Sequence, residues 1–162
     1  MSGILNHSIE LYISFLSNFG EKPNMRITKS YLNELTFEIN NAAIEVHKAL
    51  GPGILENVYH QCLIHELHAQ NIPFESEMVI PIQYKGLEIK TDLRCDLLID
   101  QSLIVEIKAV KEIAPIHKAQ LLTYMKLLPA PKGIMYNFNV ANLFYEGQQT
   151  FVNHLFTNLQ EY

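Results

Sequence analysis

The sequence predicts a mixed α/β domain, and three stretches carry the prediction. Residues 93–108 alternate with period two on either side of a short polar turn, the mark of a β-hairpin. Residues 35–69 hold two apolar stripes at helical spacing, and residues 103–138 run strand, helix, strand. A crossover of that kind makes its two strands parallel neighbours, so hairpin and crossover together require a mixed central β-sheet flanked by helices.

Composition bounds the rest. A chain of 162 residues, 48% hydrophobic and 18% charged, is long enough to bury one substantial core and too apolar to be disordered. The two cysteines, Cys62 and Cys95, fall inside a predicted helix and strand, which fits a reducing, cytoplasmic setting better than a disulfide-stapled one. No apolar run approaches about 18 residues and no basic residue precedes Lys22, so neither a membrane span nor a secretory leader is expected. The sequence carries no signal for an oligomeric state.

In chain order, Ile9, Tyr12, Ile13, Leu16 and Phe19 have helical spacing before Gly20 and Pro23, so residues 1–30 are expected to be an N-terminal extension with an appended amphipathic helix, and 31–162 the main domain. From Leu35, the residues Ile39, Ala42, Ala43, Val46 and Leu50 form the apolar face of a helix that ends at Gly51, with His47 and Lys48 in the cation-favouring last turn. After Gly51-Pro52-Gly53 a second helix is expected from about Ile54 to Ala69, burying Leu55, Val58, Tyr59, Cys62, Leu63 and Leu67. With Gly53 as N-cap, Glu56 would sit at N3, where a carboxylate favours the positive helix end. His60, Cys62, His65 and His68 share this helix, but no second Cys/His pair with finger-like spacing accompanies them, so zinc is not expected.

Phe74 to Tyr84 predicts one strand with an edge or bulge at Pro81, Lys85-Gly86 a turn, and Leu87 to Ile99 a strand leading into the hairpin, which closes at Asp100-Gln101-Ser102. Pro115 suits the first turn of a helix that runs to Leu128 and is stopped by Pro129. Gly133 to Phe138 predicts a buried strand, and Leu143–Tyr145 with Thr150–Val152 a final small hairpin around Glu146-Gly147.

The hairpin register carries the chemistry. Pairing Asp96 with Val105 or Ile107 would drive a carboxylate into an apolar face, whereas pairing it with Glu106 keeps both faces consistent. Arg94, Asp96, Glu106 and Lys108 then share one face, with two like charges opposed at a cost of roughly 0.2–1 kcal/mol. Such a pair calls for a cation, either a surface ladder through Arg94 and Lys108 or a hard divalent metal, which oxygen ligands suit. On the crossover helix His117, Gln120 and Tyr124 form a polar stripe, separate from Leu121, Leu122, Met125 and Leu128.

Asp96, the Glu106-Ile107-Lys108 triplet and Gln120 with Tyr124 together resemble the PD-(D/E)XK nuclease superfamily, including the Q-x-x-x-Y helix motif of its exonuclease-like members. Gly53-Ile54-Leu55-Glu56-Asn57-Val58-Tyr59 resembles the signature of the small GxxExxY proteins, and the likeness runs from about Leu35 to Asn153, through Ala43-Ile44-Glu45-Val46-His47 and Asn137-Phe138-Asn139. Cys95 stands where the superfamily name has proline. The resemblance implies a restriction-endonuclease-like (αβββαβ) core and a Mg²⁺- or Mn²⁺-dependent nuclease acting on nucleic acid, DNA by preference. It implies Asp96, Glu106 and Glu56 as metal ligands, Lys108 as the catalytic lysine with Glu56 also in the catalytic set, and Gln120 and Tyr124 bordering the site. The formal charge of -5 is unevenly spread: residues 85–132 hold a balance of +2 and the remainder -7. That acidity motivates the alternative, a non-catalytic nucleic-acid or protein binding module on the same fold.

Overall fold

The computed structural model describes residues 27–162; the amphipathic stretch within residues 1–24 lies outside the described residues. Helix α1 spans Lys29–Leu50, six residues longer at its start than the apolar stripe from Leu35 implied, because Thr28 caps it with a side chain that accepts from Tyr31 N at 3.1 Å. It ends as expected at Gly51, whose φ of 66° needs a residue without Cβ, and the Gly51 N–H returns to the His47 carbonyl. His47 closes that end: its ring N–H donates to the Val140 carbonyl at 2.9 Å. Helix α2 spans Glu56–Ala69 with Leu55 as N-cap, so Glu56 is the first helical residue and not N3. Leu55, expected inside, is 73% exposed, since the cap position turns it off the packed face of Tyr59, Leu63 and Leu67.

Seven strands follow. The central sheet has the order β1-β4-β5-β6-β7, with β1 Phe74–Val79, β4 Arg94–Ile99, β5 Leu103–Lys108, β6 Lys132–Asn137 and β7 Gln148–Val152. β1, β4 and β5 form the expected antiparallel meander, and β5 pairs with β6 in parallel across helix α3, Pro115–Leu127. The long strand expected over 74–84 is broken at Ile80-Pro81: β2, Ile82–Tyr84, and β3, Leu87–Ile89, leave the sheet as a separate exposed hairpin whose root is the Ile80 N–H to Leu93 carbonyl bond. Proline's missing N–H explains the break. Leu143–Gly147 is a π-helical turn and not a strand, so β7 pairs with β6 and the final small hairpin does not form. A Cβ on Gly147 would lie 2.4 Å from the Asn137 carbonyl oxygen, so only glycine lets this turn press onto β6. A short helix α4, His154–Thr157, ends the described elements.

The result is three layers. Helices α1 and α2 cover one face of the sheet through Leu97, Ile99, Leu103, Val105 and Ile107, and α3 covers the other through Leu98, Ile104 and Met135. β5 is therefore buried on both faces, as a parallel-paired central strand should be. Tyr124 of α3 is 1% exposed and packs in this second core, whereas Leu122 is 46% exposed. The phenol thus replaces Leu122 on the buried face, which corrects the expected division of that helix into polar and apolar stripes.

Candidate active site

The hairpin register is the one that places the carboxylates together. Leu97 pairs with Val105, Leu98 with Ile104 and Ile99 with Leu103, and continuing the register sets Asp96 across from Glu106. At that point the backbone ladder stops and the two side chains take over. Ile107 N–H donates to Asp96 Oδ2 at 2.7 Å, and Asp96 N–H donates to Glu106 Oε1 at 3.3 Å. Each carboxylate thus accepts from a backbone amide of the opposite strand. β4 is irregular here on its other side too, because Glu77 of β1, between the pairs Ser76–Leu97 and Met78–Cys95, has a φ of 49°. Cys95 consequently packs with Leu98 and not with Leu97, breaking the alternation expected along this strand.

Lys108 lies in the same cluster. Its ammonium is 3.4 Å from Glu106 Oε2 and 3.9 Å from Glu56 Oε1. Glu56 also accepts from Ala109 N at 3.3 Å, so α2 begins against the chain just beyond Lys108. That position is set by Tyr59, one turn further along α2. Its buried hydroxyl donates to the Gly51 carbonyl at 2.6 Å and accepts from Ile54 N at 3.2 Å, and its ring stacks on Phe138 at 4.5 Å. The glycine loop is clamped, and Glu56 is held over the end of β5.

Asn137 does the same for the segment after Lys108, its parallel neighbour. Its amide accepts from Val110 N at 3.0 Å, donates to Val110 O at 2.8 Å and accepts from Asn139 N at 3.3 Å. His60 adds a further contact, with Nε2 3.2 Å from the Asp96 carbonyl. Tyr59, His60 and Asn137 were not among the expected site residues. For Tyr59 and Asn137 the signal was present in the two motifs that contain them; for His60 nothing in the local pattern pointed to the sheet.

Of the expected set, Asp96, Glu106, Lys108 and Glu56 come together. Gln120 donates through Nε2 to the Tyr124 hydroxyl, and this pair stands beside the cluster closely enough that the charges of Glu106, Lys108 and Asp96 act on the phenol. His117 is not with them: its Nδ1 accepts from Ala114 N, closing the start of α3. Arg94, expected on the shared face, donates instead to the Glu77 carbonyl.

Electrostatics follow from burial. Glu106 is 2% exposed, and burial together with the Asp96 charge pushes its carboxyl up to about 8, against the partial relief that Lys108 gives. Burial draws Lys108 down, but Glu106, Glu56 and Asp96 together more than offset it, so the ammonium is held above its ordinary value and stays charged at neutral pH. The Tyr124 hydroxyl is also raised, by burial first.

A hard divalent cation fits this donor set. Asp96 and Glu106 offer only oxygens, Asp96 Oδ1 takes no hydrogen bond among the described residues, and Glu106 is a buried carboxyl short of positive charge. Among the described residues no three His, Cys, Asp or Glu side chains form one ready coordination group. Glu56 stands beyond Lys108, paired with it.

A mixed sheet between helices, with two carboxylates and a lysine gathered where its central strands part, defines a restriction-endonuclease-like fold. The chain belongs to the PD-(D/E)XK nuclease superfamily, whose model matches residues 33–149. A crystal structure of SSO0001 is similar to it at 22% identity and a TM-score of 0.47, over 93% of this chain and 78% of that one. No curated protein matches the chain significantly. No helix among the described residues is long and apolar enough to cross a membrane.

Proposed function

We propose that this chain is a divalent-metal-dependent nuclease of the GxxExxY kind that hydrolyses phosphodiester bonds, in DNA by preference. The observation that carries the reading is the Asp96–Glu106–Lys108 cluster at the end of the β4–β5 ladder. Two carboxylates held by backbone amides are positioned without help from a ligand, and their charge is only partly met by one ammonium. Asp96 and Glu106 would hold Mg²⁺ or Mn²⁺, with Glu56 available to complete the site; the ion supplies Lewis-acid polarisation of the phosphoryl oxygen and a more acidic water.

The protein's own residues do the rest. Lys108, charged at neutral pH, is unsuited to act as a base and suited to orient the attacking water and stabilise the negative charge that develops on the phosphoryl group. Glu56 keeps that ammonium beside the reacting centre from the α2 side. Gln120 and Tyr124, bonded to each other, would border the site from α3.

Calorimetric titration of Mn²⁺ tests the metal reading: saturable binding is expected in the wild type and its loss in Glu106→Ala. Cleavage of single-stranded, double-stranded and branched DNA and of RNA tests the reaction, which Lys108→Ala should abolish. The net charge of -5 favours the second reading, a binding module on the same fold. It predicts that Lys108→Ala leaves biological activity intact and that no substrate is cut with either metal.

A further inference from the structure

The π-helical turn Leu143–Gly147 carries two adjacent aromatic residues that the fold does not use. Phe144 is 51% exposed and Tyr145 82%, and their rings sit edge to face at 5.2 Å. Neither is loose. Asn142 caps the turn by accepting from Tyr145 N at 3.1 Å, Glu146 reaches back to Asn142 N at 3.0 Å, and Gly147 is pressed onto the Asn137 carbonyl. Leu143 is buried and anchors the turn in the core under α1. Exposed aromatic faces on a fixed backbone turn are suited to stacking.

These rings form one wall of a groove of about 390 Å³, whose opposite side is the end of α1, with Lys48, and the Gly51-Pro52 loop. That volume is ample for a base and its sugar. Among the described residues Lys48 is the one formally charged residue in the lining, and no carboxylate lines it, in a chain whose net charge is -5. Lys48 is paired with Glu45 at 2.8 Å, but both side chains are more than half exposed, so the pair is easily exchanged for a phosphate.

The segments that line the groove are also tied to the candidate active site. The loop that forms its far side is the one Tyr59 clamps, and three residues separate Pro52 from Glu56. On the near side Gly147 touches Asn137, the parallel neighbour of Lys108. Adjacent strands lie about 5 Å apart, the Gly147–Asn137 contact adds about 6 Å between backbones and two residues span at most about 7 Å, which puts the Tyr145 backbone within roughly 18 Å of that of Lys108. Stacked nucleotides rise about 3.4 Å each, so this is a separation of at most some five nucleotides along one strand.

From this geometry we infer that the groove between the Phe144–Tyr145 turn and the Gly51-Pro52 loop binds an unpaired nucleobase of the substrate strand, stacked on the aromatic pair with its phosphate towards Lys48. The inference rests on the nuclease reading for its substrate and names the substrate class, a strand with at least one unpaired base near the cut. A blunt, fully paired duplex could not place a base there.

The chain has no tryptophan, so Tyr145→Trp introduces a single indole at the stacking position. Binding is measured in EDTA, where metal-dependent hydrolysis does not proceed, with fluorescein-labelled oligo-dT and oligo-U of twelve nucleotides and a blunt duplex. Oligo-dT, oligo-U or both should quench the indole on saturation, and the better binder assigns the base to DNA or RNA. Phe144→Ala/Tyr145→Ala should weaken single-strand binding on the order of ten- to a hundredfold and leave the blunt duplex unchanged. Both rings are exposed, so an unchanged melting curve is expected to accompany that loss. Unquenched indole with bound oligonucleotide, unaltered affinity in the double variant, or an equal loss on the duplex would overturn the inference. So would a double variant that changes only self-association in sedimentation, which would make the turn a protein contact. The nuclease reading fails separately, through absent cleavage and absent Mn²⁺ binding, whatever the indole reports.

Discussion

The buried Glu106 carboxylate makes the apoprotein less stable as pH rises, and Glu106→Gln should remove that dependence. The side chain is 2% exposed, its two donors stand at 3.3 and 3.4 Å, and Asp96 is the nearest like charge. Compensation is therefore incomplete, and the folded state prefers the neutral acid, with the carboxyl raised from 4.5 to about 8. A raised folded value means that the native state binds more protons than the unfolded chain between those limits. Stability from this group is full below 4.5 and is lost as pH rises through about 8.

Linkage at about 1.4 kcal/mol per pH unit makes the ceiling of that loss roughly 5 kcal/mol. The variant's weaker contact with Lys108 takes back about 1–2 kcal/mol of the gain, so Glu106→Gln should exceed the wild type by on the order of 3 kcal/mol at pH 9. At pH 5, where the native carboxyl is already neutral, the two should agree within about 1 kcal/mol. Thermal melts in EDTA from pH 5 to 9 read this as a gap that opens by roughly 6–12 °C for a domain of this size. Adding Mn²⁺ at pH 8 should raise the wild-type melting temperature and not the variant's. Parallel melting curves for the two proteins across the whole range would refute the reasoning, because they would mean that the carboxylate is fully compensated without a metal.

Other perturbations probe the scaffold. Tyr59→Phe removes the donor to Gly51 O and the acceptor of Ile54 N, and should destabilise by about 1–3 kcal/mol in urea unfolding, with weakened activity because Glu56 loses its fixed approach. Gly147→Ala forces a Cβ against the Asn137 carbonyl and should cost about 1–3 kcal/mol, visible as a lower melting temperature. Lys132 is 5% exposed, its ammonium drawn below its ordinary value by burial and bonded to Asn33 Oδ1 at 2.8 Å with no carboxylate partner among the described residues. Lys132→Met should be neutral or stabilise by about 1–2 kcal/mol at pH 7 in the same melts.

Much of this was legible because the deciding signals are local. Period-two alternation around Asp100-Gln101-Ser102 determined both strands and their register, and the register alone brought Asp96 to Glu106. Helix ends marked by Gly51 and Pro115 were legible for the same reason. What failed depended on partners far along the chain. Tyr124 becomes a core residue because β4, β5 and β6 lie under it, and a helical wheel cannot weigh a half-apolar phenol against Leu122. Leu143–Gly147 coils because Gly147 can touch Asn137, ten residues earlier in the sequence, whereas the break at Ile80-Pro81 is local and follows from proline's missing N–H. Glu56 shows both sides: its motif and its place in the first turn of α2 were visible, but its position as the first helical residue goes with the Tyr59 clamp.

The failed alternation at Cys95 explains why the site lies where it does. A strand paired on both edges has no free amide, and a carboxylate on it would project into a covered face at high cost. β4 escapes this at Asp96, where its pairing with β1 skips Glu77 and its pairing with β5 stops at Leu97. The amides released there need acceptors, and the carboxylates of Asp96 and Glu106 supply them in exchange across the gap. β5 continues beyond this point on β6 alone, carrying Lys108 into the opened space beside Asn137. The irregularity thus furnishes both the anchoring donors and the room. Restoring regular pairing, by replacing Asp96 with valine, should tighten this end of the β4–β5 pair while removing the carboxylate that faces Glu106. Its expected signature is lost Mn²⁺ binding with a melting temperature that does not fall at pH 8; a large fall would mean that the carboxylate exchange, and not strand divergence imposed by β1, holds this end of the sheet together.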